Sequence, residues 1–463
     1  MRSRTKAALL LGKTIGSLSR SLKMGGGSTL PGRVARRVDP GFVPTMVKGL
    51  PLGCVLVTGT NGKTTTSTLL ASVLDKAGMT PVHNRTGANL MAGIASALIR
   101  ESNASGKLAA RIGLFEVDEA ALPAAVTDTT PRLVLVNNLF RDQLDRYGEL
   151  DTLAAKMKKA VAQLQEDAVV ALNADDPLVS SIGSGLRQKV MYYGIDDERY
   201  ASGTMQHATD SKHCPACGSR LEYDYYLFGH LGRYKCPGCG AKRPTADVAA
   251  AEVEMRGMDG TRCLIRYPGG TAEVVIPLPG LYNVYNILAA MTASLALGIE
   301  PETVIQAVTE FTAAFGRVER VPVAGRELLM ILAKNPAGFN EVIRTLTAGA
   351  GRKSVLIALN DNIADGRDVS WIWDVDFEMF RGRLDNVVCS GIRAWDLAVR
   401  LKYAQLGESS LVTKPDLTRA LDLGLETIAP GETLYVVPTY TAMLDLRKEL
   451  VERELVTAYW EGN

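Results

Sequence analysis

Residues 55–66 read Val-Leu-Val-Thr-Gly-Thr-Asn-Gly-Lys-Thr-Thr-Thr, so an apolar run passes through a glycine-rich turn into a Lys-Thr pair. Gly59 and Gly62 allow a tight turn and leave room for a phosphate to approach backbone N–H groups at the positive end of the next helix. In loops of this kind the lysine reaches the β- and γ-phosphates, and the hydroxyl after it binds Mg²⁺. The stretch predicts a phosphate-binding loop with Lys63 and Thr64 in those two roles.

The loop is a variant of the general phosphate-loop pattern. The form G-x-x-x-x-G-K-[ST] would place its first glycine at position 57, which is Val57, whereas the more restrictive form G-T-N-G-K-T-T matches in full. A plain glycine turn before an ordinary helix is the alternative, and the apolar run before the loop and the helical run after it disfavour this alternative. The loop residues predicted to bind nucleotide are Gly59, Thr60, Asn61, Gly62, Lys63, Thr64 and Thr65.

The composition indicates a globular protein of two or three domains, because the chain has 463 residues and ample apolar content. A net charge of +2 argues against a bulk electrostatic role on nucleic acid. The first 37 residues carry nine Lys or Arg and no acid. They predict either an amphipathic helix near an anionic membrane surface or a solvated basic helix. The apolar run within them is too short for a membrane span, so we expect a cytoplasmic protein.

Four of the seven cysteines form two C-x2-C pairs, Cys214/Cys217 and Cys236/Cys239, separated by 18 residues. Four thiolates at this spacing are typical of a closed, structural Zn²⁺ site with no open position for catalysis. Disulfides are disfavoured in a chain without an export signal, and a redox pair does not explain two knuckles. A nucleic-acid-binding ribbon is disfavoured because acids balance the basic residues between the knuckles.

Apolar strands alternate with helical segments from residue 50 to about 200, as in an α/β domain with a mostly parallel sheet. A second α/β series begins near residue 328. We therefore predict an α/β protein with a basic N-terminal segment over 1–49 and a central nucleotide-binding domain over 50–315. This domain carries a zinc ribbon inserted at about 205–245, and a C-terminal α/β domain covers 316–463.

Acidic and amide side chains follow the predicted strands of the central domain. Glu116 ends one strand, Asn137 and Asn138 follow the next, and Asp175 and Asp176 follow a third. Because the carboxyl ends of parallel strands meet at one edge, we expect these groups in one crevice. Glu116 is the predicted second Mg²⁺ ligand, with a catalytic role; a plain surface acid is the alternative.

These motifs resemble those of the Mur ligase superfamily of ATP-dependent amide-forming enzymes, and the resemblance extends over nearly the whole chain. It rests on the loop and strand-end residues above and on two further stretches, Gly280 to Asn286 and Phe315 to Glu319. The resemblance implies that Asn283, Asn286, Arg317 and Glu319 contact the nucleotide. Gln143, Tyr282 and Lys334 stand where many members have histidine, which is a departure from the usual pattern.

The departures, the ribbon and the C-terminal stretch from Asn360 to Trp373 resemble the MurT branch, the ligase subunits of lipid II isoglutaminyl synthases. This resemblance implies ATP-dependent activation of the D-glutamate α-carboxylate of the lipid II stem peptide, followed by attack of ammonia to give D-isoglutamine. It also implies work at the inner face of the membrane, in a heterodimer with a GatD-like glutamine amidotransferase subunit.

The residues themselves favour a separate glutaminase. The three remaining cysteines, Cys54, Cys263 and Cys389, have no histidine nearby in sequence that could activate them. In the family an aspartate of the ligase subunit is thought to complete the partner's Cys-His site. Asp361, which directly follows a predicted strand and its turn, is the preferred catalytic candidate over Asp365 and Asp368. Trp371, Trp373 and Phe377 are either core or partner surface, and we expect at least two in the core.

Two other functions are consistent with parts of the sequence. The first is a partner-independent Mur-type amino-acid ligase, which would need a C-terminal pocket for the carboxylate of the incoming amino acid. The second is a zinc-ribbon scaffold with a relic nucleotide site, which the intact Lys63, Thr64 and Glu116 disfavour.

Overall fold

A computed structural model describes residues 2–21, 29–84, 88–141, 150–202, 210–311, 318–349, 351–406 and 410–456. Within these residues the chain forms two large sheets, each covered by helices on both faces, and a separate two-stranded hairpin. The predicted α/β class is confirmed. The expected domain boundary between residues 315 and 316 lies outside the described residues.

The first sheet has nine strands in the order β11-β10-β9-β6-β5-β4-β1-β3-β2. Neighbouring strands from β2 to β9 are parallel, and β9, β10 and β11 are antiparallel. The strands are β1 (Cys54–Thr58), β2 (Pro81–His83), β3 (Ile112–Glu116), β4 (Leu133–Val136), β5 (Val169–Asn173), β6 (Lys189–Ile195), β9 (Val248–Met255), β10 (Thr261–Tyr267) and β11 (Gly270–Ile276).

Helices cover both faces of this sheet, which is why its central strands are apolar throughout. On one face lie α4 (Lys63–Lys76), α9 (Leu281–Ala296) and α10 (Pro301–Thr309). On the other face lie α1 (Ser3–Ser21), α2 (Leu30–Val38), α3 (Phe42–Val47), α5 (Met91–Glu101), α6 (Leu122–Thr129), α7 (Leu150–Val161) and α8 (Pro177–Ile182).

The basic N-terminal segment is helical, and its inner side belongs to the core of the first sheet. Thr5, Ala8 and Leu9 of α1 are fully buried, and the Thr5 hydroxyl lies 2.6 Å from the Asp39 carboxylate. The outer side of α1 remains exposed. The helix is therefore neither fully exposed to solvent nor detached from the domain: one side is packed and the other is exposed.

The hairpin of the cysteine ribbon, β7 (Glu222–Phe228) and β8 (Leu231–Lys235), projects its tip into the first sheet's core. Leu227 and Leu231 are almost completely buried there. The hairpin is also bonded to a strand end, since the Gly232 N–H donates to the Asp175 carbonyl at 3.0 Å. The inserted ribbon is thus anchored beside the edge at which the strand-end motifs meet.

The second sheet has the order β12-β13-β17-β14-β15-β16 and is parallel except for β12. Its strands are β12 (Val318–Val323), β13 (Arg326–Ile331), β14 (Lys353–Ala358), β15 (Leu384–Ser390), β16 (Ser410–Thr413) and β17 (Thr433–Pro438). Its helices are α11 (Pro336–Ala348) and α12 (Ala394–Tyr403) on one face, and α13 (Leu417–Glu426) and α14 (Tyr440–Glu452) on the other.

Candidate active site

The phosphate-loop stretch forms the strand, turn and helix that the sequence predicts, with β1 leading into α4. Gly59 and Gly62 have φ angles of 126° and 83°, a region that side chains other than glycine rarely adopt. A Cβ at position 62 would lie 2.0 Å from the Asn286 Oδ1. Glycine is therefore required at 62 both for its backbone angle and for the close approach of α9.

Asparagines that follow β4 and asparagines of α9 surround this loop. The Asn61 N–H donates to Asn138 Oδ1 at 2.8 Å, and Asn137 Nδ2 donates to the Thr66 hydroxyl at 3.1 Å. Asn286 accepts from that hydroxyl at 3.3 Å and donates to Asn283 Oδ1 at 3.0 Å. The structure thus brings together the predicted loop residues and the predicted pair Asn283 and Asn286.

Lys63 lies at the start of α4 and is almost completely buried. Its ammonium contacts the Thr60 carbonyl at 3.3 Å and the Glu119 carboxylate at 3.4 Å. Glu119 was not among the predicted site residues, although it stands three positions after Glu116. The lysine is therefore held against its own loop by loop carbonyls and by a carboxylate.

Glu116 is the last residue of β3, and its backbone pairs with Val57 in β1. Its side chain is 3% exposed, and among the described residues its Oε2 has no hydrogen-bond partner. A buried carboxylate oxygen without a partner is costly unless a ligand or cation satisfies it. Carboxylate and hydroxyl oxygens are ligands that Mg²⁺ prefers, so Glu116 and the half-buried Thr64 fit a magnesium site.

Asp175 and Asp176 follow β5 at the same edge, but protein groups satisfy both. Asp175 accepts from the Tyr285 hydroxyl at 2.7 Å and the Ile195 N–H at 2.8 Å, and it pairs with the buried Arg243. Asp176 caps α8 and accepts from the Leu139 N–H at 2.8 Å. These two acids shape the loops around the site.

A cleft lies between the phosphate loop and the second sheet. The Asn335 side-chain amide spans it by donating to Asn61 Oδ1 at 3.0 Å. The other residues on its walls include Gly62, Thr65, Asn138, Phe228, Tyr282, Asn283, Asn286, Lys334 and Glu341. A nucleoside whose phosphates occupy the loop would extend into this cleft.

Glu341 was missed by sequence reasoning, because only the packing of α11 brings it to the cleft. It is 1% exposed, and burial raises the pKa of its carboxyl despite the Arg344 guanidinium 3.3 Å away. Its Oε2 has no hydrogen-bond partner in the described part of the chain. An acidic residue of this kind suits a ligand that brings hydrogen-bond donors.

The three candidate aspartates of the second sheet differ in what they contact. Asp361 lies beyond the carboxyl end of β14, where the Arg393 guanidinium pairs with it at 2.7 Å. Asp365 is buried and accepts from the Thr441 N–H at 2.8 Å, while Asp368 accepts from the Ser370 N–H at 2.8 Å. Asp368 thus stabilises a local turn, Asp365 joins its loop to the start of α14 at Thr441, and Asp361 is held by the partly exposed Arg393.

The aromatic residues near Asp361 divide between core and surface. Trp371 and Phe377 are buried, whereas Trp373 is 50% exposed. Trp373, Trp395 and Arg393 line one shallow hollow, so an apolar surface adjoins the arginine that holds Asp361. Two of the three aromatic residues lie in the core, as expected.

The seven cysteines, all in the described parts, fall into two groups. The Sγ atoms of Cys214, Cys217, Cys236 and Cys239 lie within 4.8 Å of one another. Sulfurs bound tetrahedrally to one zinc at 2.3 Å would be about 3.8 Å apart, so the four thiols fit such an ion. Cys54, Cys263 and Cys389 are buried, and burial raises the pKa of each thiol to about 12.

Two residues singled out from the sequence lie outside the described residues. They are Arg317, the predicted nucleotide contact, and Gln143, which replaces the frequent histidine. The described part of the chain also contains no helix both long and apolar enough to cross a bilayer.

Comparison with known proteins agrees with this geometry. Residues 57–232 match the Mur ligase middle domain, and residues 332–443 match the MurT ligase C-terminal family. The fold is similar to that of MurF from Acinetobacter baumannii, with a TM-score of 0.66 and 18% identity over 91% of this chain and 80% of that one. A pseudomurein peptide ligase type C from Methanothermus fervidus gives 0.65 and 21% identity over 87% and 79%.

Two curated relatives match almost end to end. The chain is 33% identical to the lipid II isoglutaminyl synthase (glutamine-hydrolyzing) subunit MurT of Staphylococcus aureus strain COL, covering 92% of this chain and 93% of the relative. Identity to the subunit of the same name from Streptococcus pneumoniae R6 is also 33%, over 94% of each chain. The chain therefore belongs to the MurT family of Mur ligases, which are ATP-dependent ligases.

Proposed function

We propose that this protein amidates the α-carboxylate of D-glutamate in the lipid II stem peptide. The carboxylate oxygen attacks the γ-phosphorus of ATP, which gives an acyl phosphate and ADP. Ammonia then attacks the acyl carbon, phosphate leaves, and one proton is lost to give D-isoglutamine. The observation that carries the proposal is a buried Glu116 oxygen, beside an intact phosphate loop, that has no hydrogen-bond partner among the described residues. The near-full-length similarity to MurT subunits supports the choice of substrate.

The nucleotide-binding roles follow from the geometry of the loop. We assign the phosphates to the backbone of Gly59, Thr60, Asn61 and Gly62 and to the Lys63 ammonium, and the magnesium to Thr64 and Glu116. Thr65, Asn283 and Asn286 would line the nucleotide where it leaves the loop. Arg317 remains a sequence-based assignment.

We propose that a GatD-like glutaminase subunit supplies the ammonia. The three cysteines outside the ribbon are buried and their thiol pKa values are raised, so none suits a nucleophile that must be a thiolate. Asp361 would orient the partner's histidine, because it lies just beyond the carboxyl end of β14 and is held by Arg393, whose side chain lines the exposed hollow. Lys334 and Asn335, which line the nucleotide cleft, follow β13, and Asp361 follows β14. The carboxyl ends of these two strands are two strand spacings apart, about 10 Å, so the glutaminase site would lie near the cleft.

We assign a structural Zn²⁺ to Cys214, Cys217, Cys236 and Cys239 because of their clustered sulfurs. The ion would close the base of the hairpin whose tip enters the core and the cleft wall. We further propose that the protein works at the cytoplasmic face of the membrane, since its proposed substrate is lipid-linked.

The test is to incubate the purified chain with lipid II, ATP and Mg²⁺, supply ammonium or glutamine, and follow conversion of acid to amide by mass spectrometry. We expect amidation from ammonium alone, and from glutamine only after a glutaminase subunit is added. A product in which an amino acid, and not ammonia, has become joined to the carboxylate would contradict the proposal and support the partner-independent ligase.

The role of Asp361 has its own test in the reconstituted pair. Asp361→Asn should retain amidation from ammonium and lose most of it from glutamine, because only glutamine hydrolysis needs the orienting carboxylate. Asp368→Asn is the matched comparison, because Asp368 lines the same hollow but its carboxylate accepts from the Ser370 N–H; it should use both nitrogen sources as the parent does. Equal losses from both nitrogen sources would reassign Asp361 to the ligase reaction or to folding.

A further inference from the structure

The outer face of α1 carries an apolar strip that nothing in the described structure covers. Ala7, Leu11, Thr14 and Leu18 recur at helical spacing on the side opposite Thr5, Ala8 and Leu9, which are buried. Leu11 and Leu18 are 47% and 58% exposed, and Leu10 beside the strip is 53% exposed. Three exposed leucines on one helix are unusual for a surface that faces only water.

The surroundings of the strip are basic. No acidic residue occurs before Asp39, and Asp39 is turned inward onto Thr5 and the Gly41 N–H. The exposed basic residues here include Lys6 of α1, Arg33 and Arg37 of α2, and Arg2, which directly precedes α1. Two acids beyond these helices are engaged, since Asp128 interacts with Arg36 and Glu101 pairs with Arg100.

The strip is also on the part of the molecule that leads to the candidate active site. Pro31 of α2 packs against Gly16 of α1, and the Gly32 N–H donates to Ser96 Oγ of α5 at 2.9 Å. The segment before α5 is joined to the site by Asn84, which donates to the Ala88 carbonyl at 3.0 Å and the Glu116 carbonyl at 2.8 Å. The Leu18 end of α1 is thus connected to the start of α5 and to the strand end bearing Glu116.

We infer that the outer face of α1 docks on an anionic lipid bilayer. Leucines that lie in the headgroup boundary with lysine and arginine around them are the chemistry of interfacial helices, and negative lipid headgroups match the basic rim. A protein partner would be expected to offer acids to this rim and to leave a more continuous apolar patch. The inference rests on the proposed function in one respect: a lipid-linked substrate gives the docking its use.

The experiment is flotation of the full chain with vesicles that contain no lipid II, either phosphatidylglycerol with phosphatidylcholine or phosphatidylcholine alone. We expect binding to the anionic vesicles that weakens with salt, and little binding to the neutral ones. The double variant Leu11→Glu/Leu18→Glu should lower the bound fraction about tenfold. Leu444→Glu changes a leucine on α14 that is 41% exposed; this variant is the control and should bind as the parent does.

Three outcomes would overturn the inference. The double variant could bind as well as the parent, the parent could bind only when lipid II is added, or the parent could be a dimer in solution that the double variant converts to monomer without any vesicle binding. Circular dichroism and thermal melting should be unchanged in all variants, because the substituted leucines are exposed. Ammonium-dependent amidation of a short-chain, water-soluble lipid II analogue should also be unchanged. Its absence in the parent would count against the proposed function and leave the vesicle result intact.

Discussion

Glu116 and the pair Asp175 and Asp176 occupy equivalent places, yet their surroundings differ. All three are buried acids at the carboxyl ends of parallel strands of one sheet. Asp175 and Asp176 are surrounded by donors from Ile195, Tyr285 and Leu139, whereas one Glu116 oxygen has no partner among the described residues. Location at the carboxyl end of a strand is therefore enough to bring an acid to the crevice. The acid is available to a ligand only if one of its oxygens lacks a protein hydrogen-bond partner.

The largest expected effect is on catalysis at Glu116. Glu116→Gln should lower the rate of amidation about 10³-fold, because it removes the charge that holds the metal against the phosphates. The melting temperature should change little, since no described group donates to the altered oxygen. Steady-state rates across a Mg²⁺ titration are the measurement. A rate close to that of the parent at every Mg²⁺ concentration would show that Glu116 does not hold the metal and does not differ in role from Asp175 and Asp176.

Asp175→Asn should show the opposite pattern. The substitution removes one of the two carboxylates that pair with the buried Arg243, whose other partner is Asp196, and it weakens the bond to the Tyr285 hydroxyl. We therefore expect a loss of about 2 kcal/mol in unfolding free energy. Denaturant unfolding measures this loss. If stability is kept while the Mg²⁺ requirement changes, Asp175 is a metal ligand and the contrast with Glu116 fails.

Glu341 extends the comparison to the other wall of the cleft, since it too has an unpartnered buried oxygen. Glu341→Gln should raise the KM for ATP about tenfold with a smaller change in kcat, because a lost nucleoside hydrogen bond weakens binding more than chemistry.

Arg344→Met separates this role from the neighbouring ion pair, because it keeps the carboxylate and removes the guanidinium. The KM for 2′-deoxy-ATP and for inosine triphosphate should identify the nucleoside group that Glu341 contacts. If Arg344→Met reproduces the whole effect of Glu341→Gln, the glutamate acts only by holding the arginine.

The smallest effect concerns pH and the buried His230, whose Nε2 lies 3.3 Å from Asp176. Burial alone would lower the pKa of His230, but Asp176 and Asp210 raise it overall above its ordinary value of 6.5. A raised pKa stabilises the fold fully below the ordinary value and loses that contribution as pH rises through the raised value. The difference in melting temperature between parent and His230→Asn should therefore shrink from pH 6 to pH 9. A difference that stays constant would show that His230 is neutral in the fold.

Much of the fold follows from local sequence patterns. The apolar run before Gly59 predicts β1. The strands β3, β4 and β5 end at Glu116, directly before Asn137 and two residues before Asp175, as the sequence predicts. The paired cysteines predict the ribbon because their spacing is a local property. The predicted crevice also holds, since parallel strands bring their carboxyl ends to one edge.

The remainder depends on contacts between distant residues. Nothing near Asp175 in sequence shows that Arg243 and Tyr285 will satisfy it, and nothing near Glu341 shows that α11 will face the phosphate loop. The burial of the inner face of α1 could likewise not be predicted from its own sequence, because it depends on packing against α2 and α5. Sequence patterns indicate which acids reach an edge, whereas long-range packing decides which of them keeps a free oxygen.

The hairpin of the cysteine ribbon has a consequence for how the chain can be altered. Insertions in surface loops usually have little effect on stability, because lengthening a loop costs little entropy. This one fills the core with Leu227 and Leu231, and its Leu227 carbonyl accepts from Arg344 of α11. Deleting the hairpin would leave a cavity in the core of the first sheet and remove a hydrogen bond to α11 of the second sheet. A shortened version of the enzyme would therefore have to keep this insertion in order to fold.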